Sequence, residues 1–166
     1  PIGRIASHRV ADQALGMVEG YFRPREPSAP ALVLVHQARM LIGKPLIAAL
    51  DALMPQTAAS AMLRVRSGYN LDIGLEQIRL VTDDMLASAP PDGLQNIASD
   101  AADLPMSPVA SRAEAVALML EVEAFFRKVE PSSPTPYLLA QARNYLDKDF
   151  ASILNEMLPK DSVSDY

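Results

Sequence analysis

The sequence predicts an all-α fold, one helical domain spanning residues 1–166, and three observations predict it. Two segments at a fixed offset of 104 residues share a proline-rich signature, EPSAPALVLVHQAR at 26–39 and EPSSPTPYLLAQAR at 130–143. Apolar residues around both signatures recur at helical spacing. Nowhere is there a convincing period-two alternation of the kind a half-buried strand requires.

Residues 7–55 align on 111–159 without a gap, and 17 of the 49 positions, about 35%, are identical. Among the matches are Ser7/Ser111, Val18/Val122, Glu19/Glu123, Phe22/Phe126, Arg23/Arg127, Glu26/Glu130, Gln37/Gln141 and Arg39/Arg143. Internal duplication explains this better than chance. The domain therefore divides into copy one (7–55), a connecting region (56–110), copy two (111–159) and a tail (160–166), with three helices expected in each copy.

Copy one starts with Ser7 as a helix cap, although Val10 stands where copy two completes a capping box. Gly16 and Gly20 replace Leu120 and Ala124, each costing roughly 1 kcal/mol of helix propensity relative to alanine. Pro24 is expected to shorten that helix. Gly43 suits the stop of a second helix and Pro45 the start of a third. Between the copies, Gln56 to Arg66 reads as a fourth helix and Ile73 to Ala87 as a fifth. Ala89 to Gly93 is a break, and Asn96 to Ala110, with Pro105 and Pro108, reads as loop with at most one helical turn.

Copy two is the cleaner pattern. Ser111 and Glu114 have capping-box spacing. Ala115, Leu118, Met119, Val122, Phe125 and Phe126 form one apolar face. Pro131 ends the helix, because the residue before a proline is pushed out of the α region. Pro134 or Pro136 can open the next helix, with Ser133 or Thr135 as its cap. Leu138, Leu139, Ala142, Tyr145 and Leu146 are its expected buried face. Phe150, Ile153, Leu154, Met157 and Leu158 are that of a short third helix stopped at Pro159. The signature is thus a tight, rigid corner between two helices.

Composition narrows the function classes. A net charge of −5 argues against binding nucleic acid through its phosphates. There is no cysteine, which removes disulfides, thiolate nucleophiles and thiolate metal sites and fits a reducing compartment. No apolar run approaches the roughly 18 to 20 residues of a membrane span, so direct membrane insertion is not expected. The chain starts at Pro1 and reads as a piece of a longer protein.

Chemistry-bearing patterns are few. His8 and His36 are the two histidines; neither has a ligand partner nearby in sequence, so no metal site is expected. Asp83 and Asp84 are adjacent, so their carboxylates point to different sides of a helix. No phosphate loop or nucleophile elbow is present, and no catalytic residue and no cofactor site is assigned. Glu26 and Glu130 are read as carboxylates before a helix start, where the macrodipole favours them by about 0.3–1 kcal/mol. Gly16-x-x-x-Gly20 marks a candidate self-association face.

Copy two resembles the TssA (ImpA-related) family of the bacterial type VI secretion system. The resemblance rests on Ser111-Arg112, Phe125-Phe126-Arg127, EPSSPTPYLL, Ala142-Arg143, Asp149-Phe150 and Leu158-Pro159. It is weaker over 7–55, where Leu32 stands in place of Pro136 and Leu46 in place of Phe150. Glu26, Pro27, Ser28 and Pro30, with Glu130, Pro131, Ser132 and Pro134, carry the family motif in a structural role. The resemblance implies a cytoplasmic, homo-oligomeric scaffold without enzymatic activity. Its implied partners are baseplate, sheath, tube or membrane-complex proteins. The alternative is a helical adaptor that binds a protein or peptide outside secretion.

Overall fold

Ser7 and Ser111 each open a helix by accepting a hydrogen bond at Oγ from the backbone N–H three residues on, Val10 and Glu114, both at 3.1 Å. Glu114 reaches back through Oε2 to the Ala110 N–H at 2.8 Å, one residue before the N-cap Ser111 whose N–H a capping box would engage. The computed structural model describes residues 5–88 and 108–159. It is mostly helical, in the order α1 (His8–Arg25), α2 (Pro30–Met40), α3 (Leu46–Leu53), α4 (Leu75–Ala87), α5 (Arg112–Val129), α6 (Thr135–Leu146) and α7 (Phe150–Met157). One short 3-10 turn (Ala58–Ser60) and two strands, β1 (Met62–Ser67) and β2 (Tyr69–Gly74), lie between α3 and α4.

Shifted by 104 residues, α1 and α3 fall on α5 and α7 to the residue, and α2 falls on α6 within two. Pro24 does not shorten α1, which has the 18 residues of α5. Its missing N–H is outweighed by the burial of Val10, Ala11, Ala14, Leu15, Val18 and Phe22 along the helix. Glu26 and Glu130 leave the helical region before their prolines, with ψ of 63° and 74°, and close the first helix of each copy through N–H to Phe22 O and Phe126 O. They cap helix ends; neither stands at the start of its own following helix, as the sequence suggested. Ser133 Oγ accepts from Thr135 N at 3.2 Å just ahead of α6, whose N-cap position is Pro134 without a side-chain cap.

Two calls change. Residues 56–66 do not form a helix: a 3-10 turn and β1 stand there, so the chain is not all-α. β1 and β2 pair antiparallel around Gly68, whose φ of 85° suits the turn. The expected buried face of the third helix in copy two is also absent, because none of α7 is buried and Phe150 and Met157 are largely exposed. The proposed break at 89–93 and most of the loop at 96–110 lie outside the described residues.

The described residues divide into two bodies. In the first, through Ile42 and from Pro108 onward, α1 packs on α5, α2 on α6, and each copy's two long helices on each other. Its core is Leu15, Val18, Phe22 and Val35 from copy one and Met119, Val122, Phe126 and Leu139 from copy two. Contacts between the copies are reciprocal. His8 Nε2 meets Glu130 Oε1 at 3.0 Å, while Arg112, the equivalent of His8, meets Glu26, the equivalent of Glu130, at 3.4 Å. Thus α1 and α5 run antiparallel, and residue i meets j while j meets i, as in isologous pairing. In the second body, Gly43 to Ser88, α3 packs on α4, which also contacts β2 and the 3-10 turn. Its core is small: Ile47, Ala58, Ile78 and the buried Thr82, whose Oγ1 donates to Ile78 O at 2.7 Å.

Candidate functional site: buried carboxylates and a groove

Glu19 lies on the apolar stripe of α1, four residues after Leu15 and three before Phe22, and Glu123 repeats this on α5. Both are fully enclosed, at 1% and 0% exposure. A buried carboxylate needs a partner, since desolvation of an isolated charge is severe. In copy two, Arg143 from α6 supplies two hydrogen bonds, Nε to Oε2 at 2.6 Å and Nη2 to Oε1 at 2.8 Å, and Arg127 adds a third at 3.3 Å. In copy one, Arg39 Nη1 donates to Glu19 Oε2 at 2.9 Å, Arg23 stands at 3.5 Å, and His36 Nδ1 meets Oε1 at 2.6 Å. Arg39 is shared, because its Nε also donates to Asp12 at 3.0 Å. Hydrogen bonding to Glu123 raises the Arg143 pKa against the opposing effect of burial. Burial pulls the Arg39 pKa down, but the carboxylates of Asp12 and Glu19 more than reverse this and leave it raised.

These clusters pin the two long helices of each copy together, with the matched residues Glu19/Glu123, Arg23/Arg127 and Arg39/Arg143. The sequence held the signal: a charged residue on an apolar stripe, present in both copies. The two histidines also have partners that sequence proximity could not reveal. His8 meets Glu130 and packs edge-on against Phe125 and Phe126, and His36 meets Glu19. Gly16 faces the Arg39 guanidinium, where an added Cβ would stand 3.2 Å from its carbon, so that side of the helix meets a side chain of its own chain. Gly20 borders open space. Among the described residues no group of three or more histidine or acidic side chains could hold a metal ion.

A cavity of about 770 Å³ lies in the first body, between the α1–α2 corner and α7. Glu26, Pro27, Ser28 and Pro30 line one wall, so four of the motif residues are brought together there. Phe150, Ile153, Leu154 and Met157 line the opposite wall at the i, i+3, i+4, i+7 spacing of a helix stripe. Val33 and Phe150 project into solvent at 69% and 73% exposure. Charged groups at the rim are paired: Arg112 with Glu26 and with the Leu146 carbonyl, Lys148 with Glu156, and Arg25 over the Tyr21 ring at 4.5 Å. Glu130, Pro131, Ser132 and Pro134 form the corner of copy two and do not line this groove.

The groove is an apolar trough with ion-paired Arg112–Glu26 and Lys148–Glu156 at its rim. No family model, curated protein or solved structure matches the chain. Among the described residues, no helix is long and apolar enough to cross a membrane.

Proposed function

We propose that the chain is a non-catalytic, homo-oligomeric assembly module of a bacterial type VI secretion system. It acts in the cytoplasm, where its groove receives an apolar segment of a baseplate, tube, sheath or membrane-complex partner. The groove carries this reading: a proline-stiffened corner faces α7, none of whose residues is buried and whose Phe150 and Met157 are largely exposed along the apolar stripe. The likeness of 111–159 to the TssA family supplies the secretion context. We also read the architecture as two related three-helix units joined by additional elements, supported by the matching helix bounds. An adaptor acting outside secretion is the second reading, since such a groove would serve it equally. Neighbouring genes for sheath and tube proteins favour the first, and unrelated metabolic genes the second.

Deleting the gene in its own host and measuring tube-protein export tests the proposal. Export should stop in the deletion strain, and Val33→Asp or Phe150→Asp should not restore it while keeping the wild-type circular dichroism and Tm. Undiminished export in the deletion strain refutes the secretion role. Full rescue by both variants refutes the groove.

A further inference from the structure

The hairpin of β1 and β2 has a sidedness that its own body does not use. One face carries Leu63 opposite Ile73 and Val65 opposite Leu71, with Tyr69 at the turn. The other carries Arg64 opposite Asp72 and Arg66 opposite Asn70, with an Arg66–Asp72 ion pair at 2.9 Å. The sheet has two strands, and the apolar face is largely in water, with Tyr69 83% and Leu71 58% exposed. A two-stranded hairpin is marginal alone, and each edge offers unpaired N–H and C=O groups to another strand.

We propose that the β2 edge pairs with β2 of a second copy, antiparallel across a twofold axis at Leu71, to make a four-stranded sheet. The order Tyr69-Asn70-Leu71-Asp72-Ile73 is self-complementary about its centre. Reversed on itself, it sets Leu71 against Leu71, Tyr69 against Ile73 and Asn70 against Asp72. The first two are apolar and aromatic–β-branched cross-strand pairs, and the third lets an amide donate to a carboxylate. Competing arrangements are worse. Centring on Asp72 places two carboxylates face to face, and a one-residue slip sets the apolar face of one copy against the polar face of the other. Pairing through β1 centred on Val65 opposes Arg64 and Arg66 twice. Joining β1 of one copy to β2 of the next leaves an open edge at each step and grows a filament. The inference rests on the self-association part of the proposed function and is independent of the secretion part.

The absence of cysteine makes the register directly testable. Leu71→Cys places two thiols on the axis, at the Cα separation of roughly 4.5–5.5 Å found in antiparallel pairs, which a disulfide can bridge. Tyr69→Cys is more exposed, but in this register its two copies stand about 14 Å apart, four residues along the strand. Mild oxidation of the whole chain should link Leu71→Cys into dimers and leave Tyr69→Cys mostly monomeric. Adding Asn70→Asp, which faces Arg66 within its own hairpin but Asp72 across the axis, should slow that linkage at least tenfold. In sedimentation, Asn70→Asp in the cysteine-free chain should weaken the dimer by a similar factor. Equal linkage at both positions, no linkage at residue 71, or a dimer indifferent to Asn70→Asp would overturn the proposal. Linkage at residue 71 together with undiminished export in the deletion strain would keep the interface and refute only the secretion role.

Discussion

Glu123 is a carboxylate out of reach of water, and what surrounds it sets the cost of each change. Removing Arg143 leaves a buried charge with only the exposed Arg127 at 3.3 Å, whereas removing Glu123 frees a guanidinium that is still partly in water. Arg143→Ala should therefore lose about 3 kcal/mol, the usual cost of orphaning a buried ion. Glu123→Met should lose clearly less, and urea denaturation of the two variants checks the order. Equal losses would mean that the enclosed carboxylate is not the expensive group. Glu130→Ala is a milder change, because its contact with His8 is half exposed, and a loss below about 1 kcal/mol is expected by the same measurement. The carboxylate clusters were legible only in part. Position and repetition marked Glu19 and Glu123, but which arginine reaches them depends on the turn between helices.

At the scale of elements, the long helices were legible because apolar spacing and caps agreed, while the hairpin was not. Ala58 to Arg66 is rich in the good helix formers Ala, Met, Leu and Arg, which masked the alternation of Leu63 and Val65 beside Arg64 and Arg66. Pairing with β2 overrides that local preference. The burial expected of α7 failed because spacing fixes which side chains share a stripe but not what covers it. Gly20 and Gly16 give a paired test within α1. Gly20→Ala has open space and should stabilise by roughly 0.5–1 kcal/mol. Gly16→Ala should gain less or lose, since Arg39 must shift while bound to Glu19 and Asp12; thermal melts separate the two. At α7, Asp149 accepts from the Ser152 N–H at 2.9 Å, which lowers its pKa. A lowered folded-state value means that the cap contributes above the ordinary aspartate range and is lost as pH falls through it. Asp149→Ala should accordingly narrow its stability gap to the parent chain below about pH 4.

For the whole molecule, the account's central claim is that the long helices of the two copies, α1–α2 and α5–α6, are halves of one cooperative helical body. Val18, Phe22, Val122 and Phe126 are all fully buried where α1 packs on α5, and the end-to-end pairs His8–Glu130 and Arg112–Glu26 join the same helices. The repeat in the sequence foretold two similar parts. It did not foretell that they would cover each other, because antiparallel packing depends on which apolar stripes meet. Native-state hydrogen exchange tests this directly at the Leu15 and Met119 amides, matched positions in the middle of α1 and α5. Both should exchange with one free energy of opening, equal to that of global unfolding, because neither stripe can be exposed without the other. A Leu15 amide that exchanges through a lower-energy opening while Met119 stays protected would mean that copy two stands without copy one, and would contradict the account.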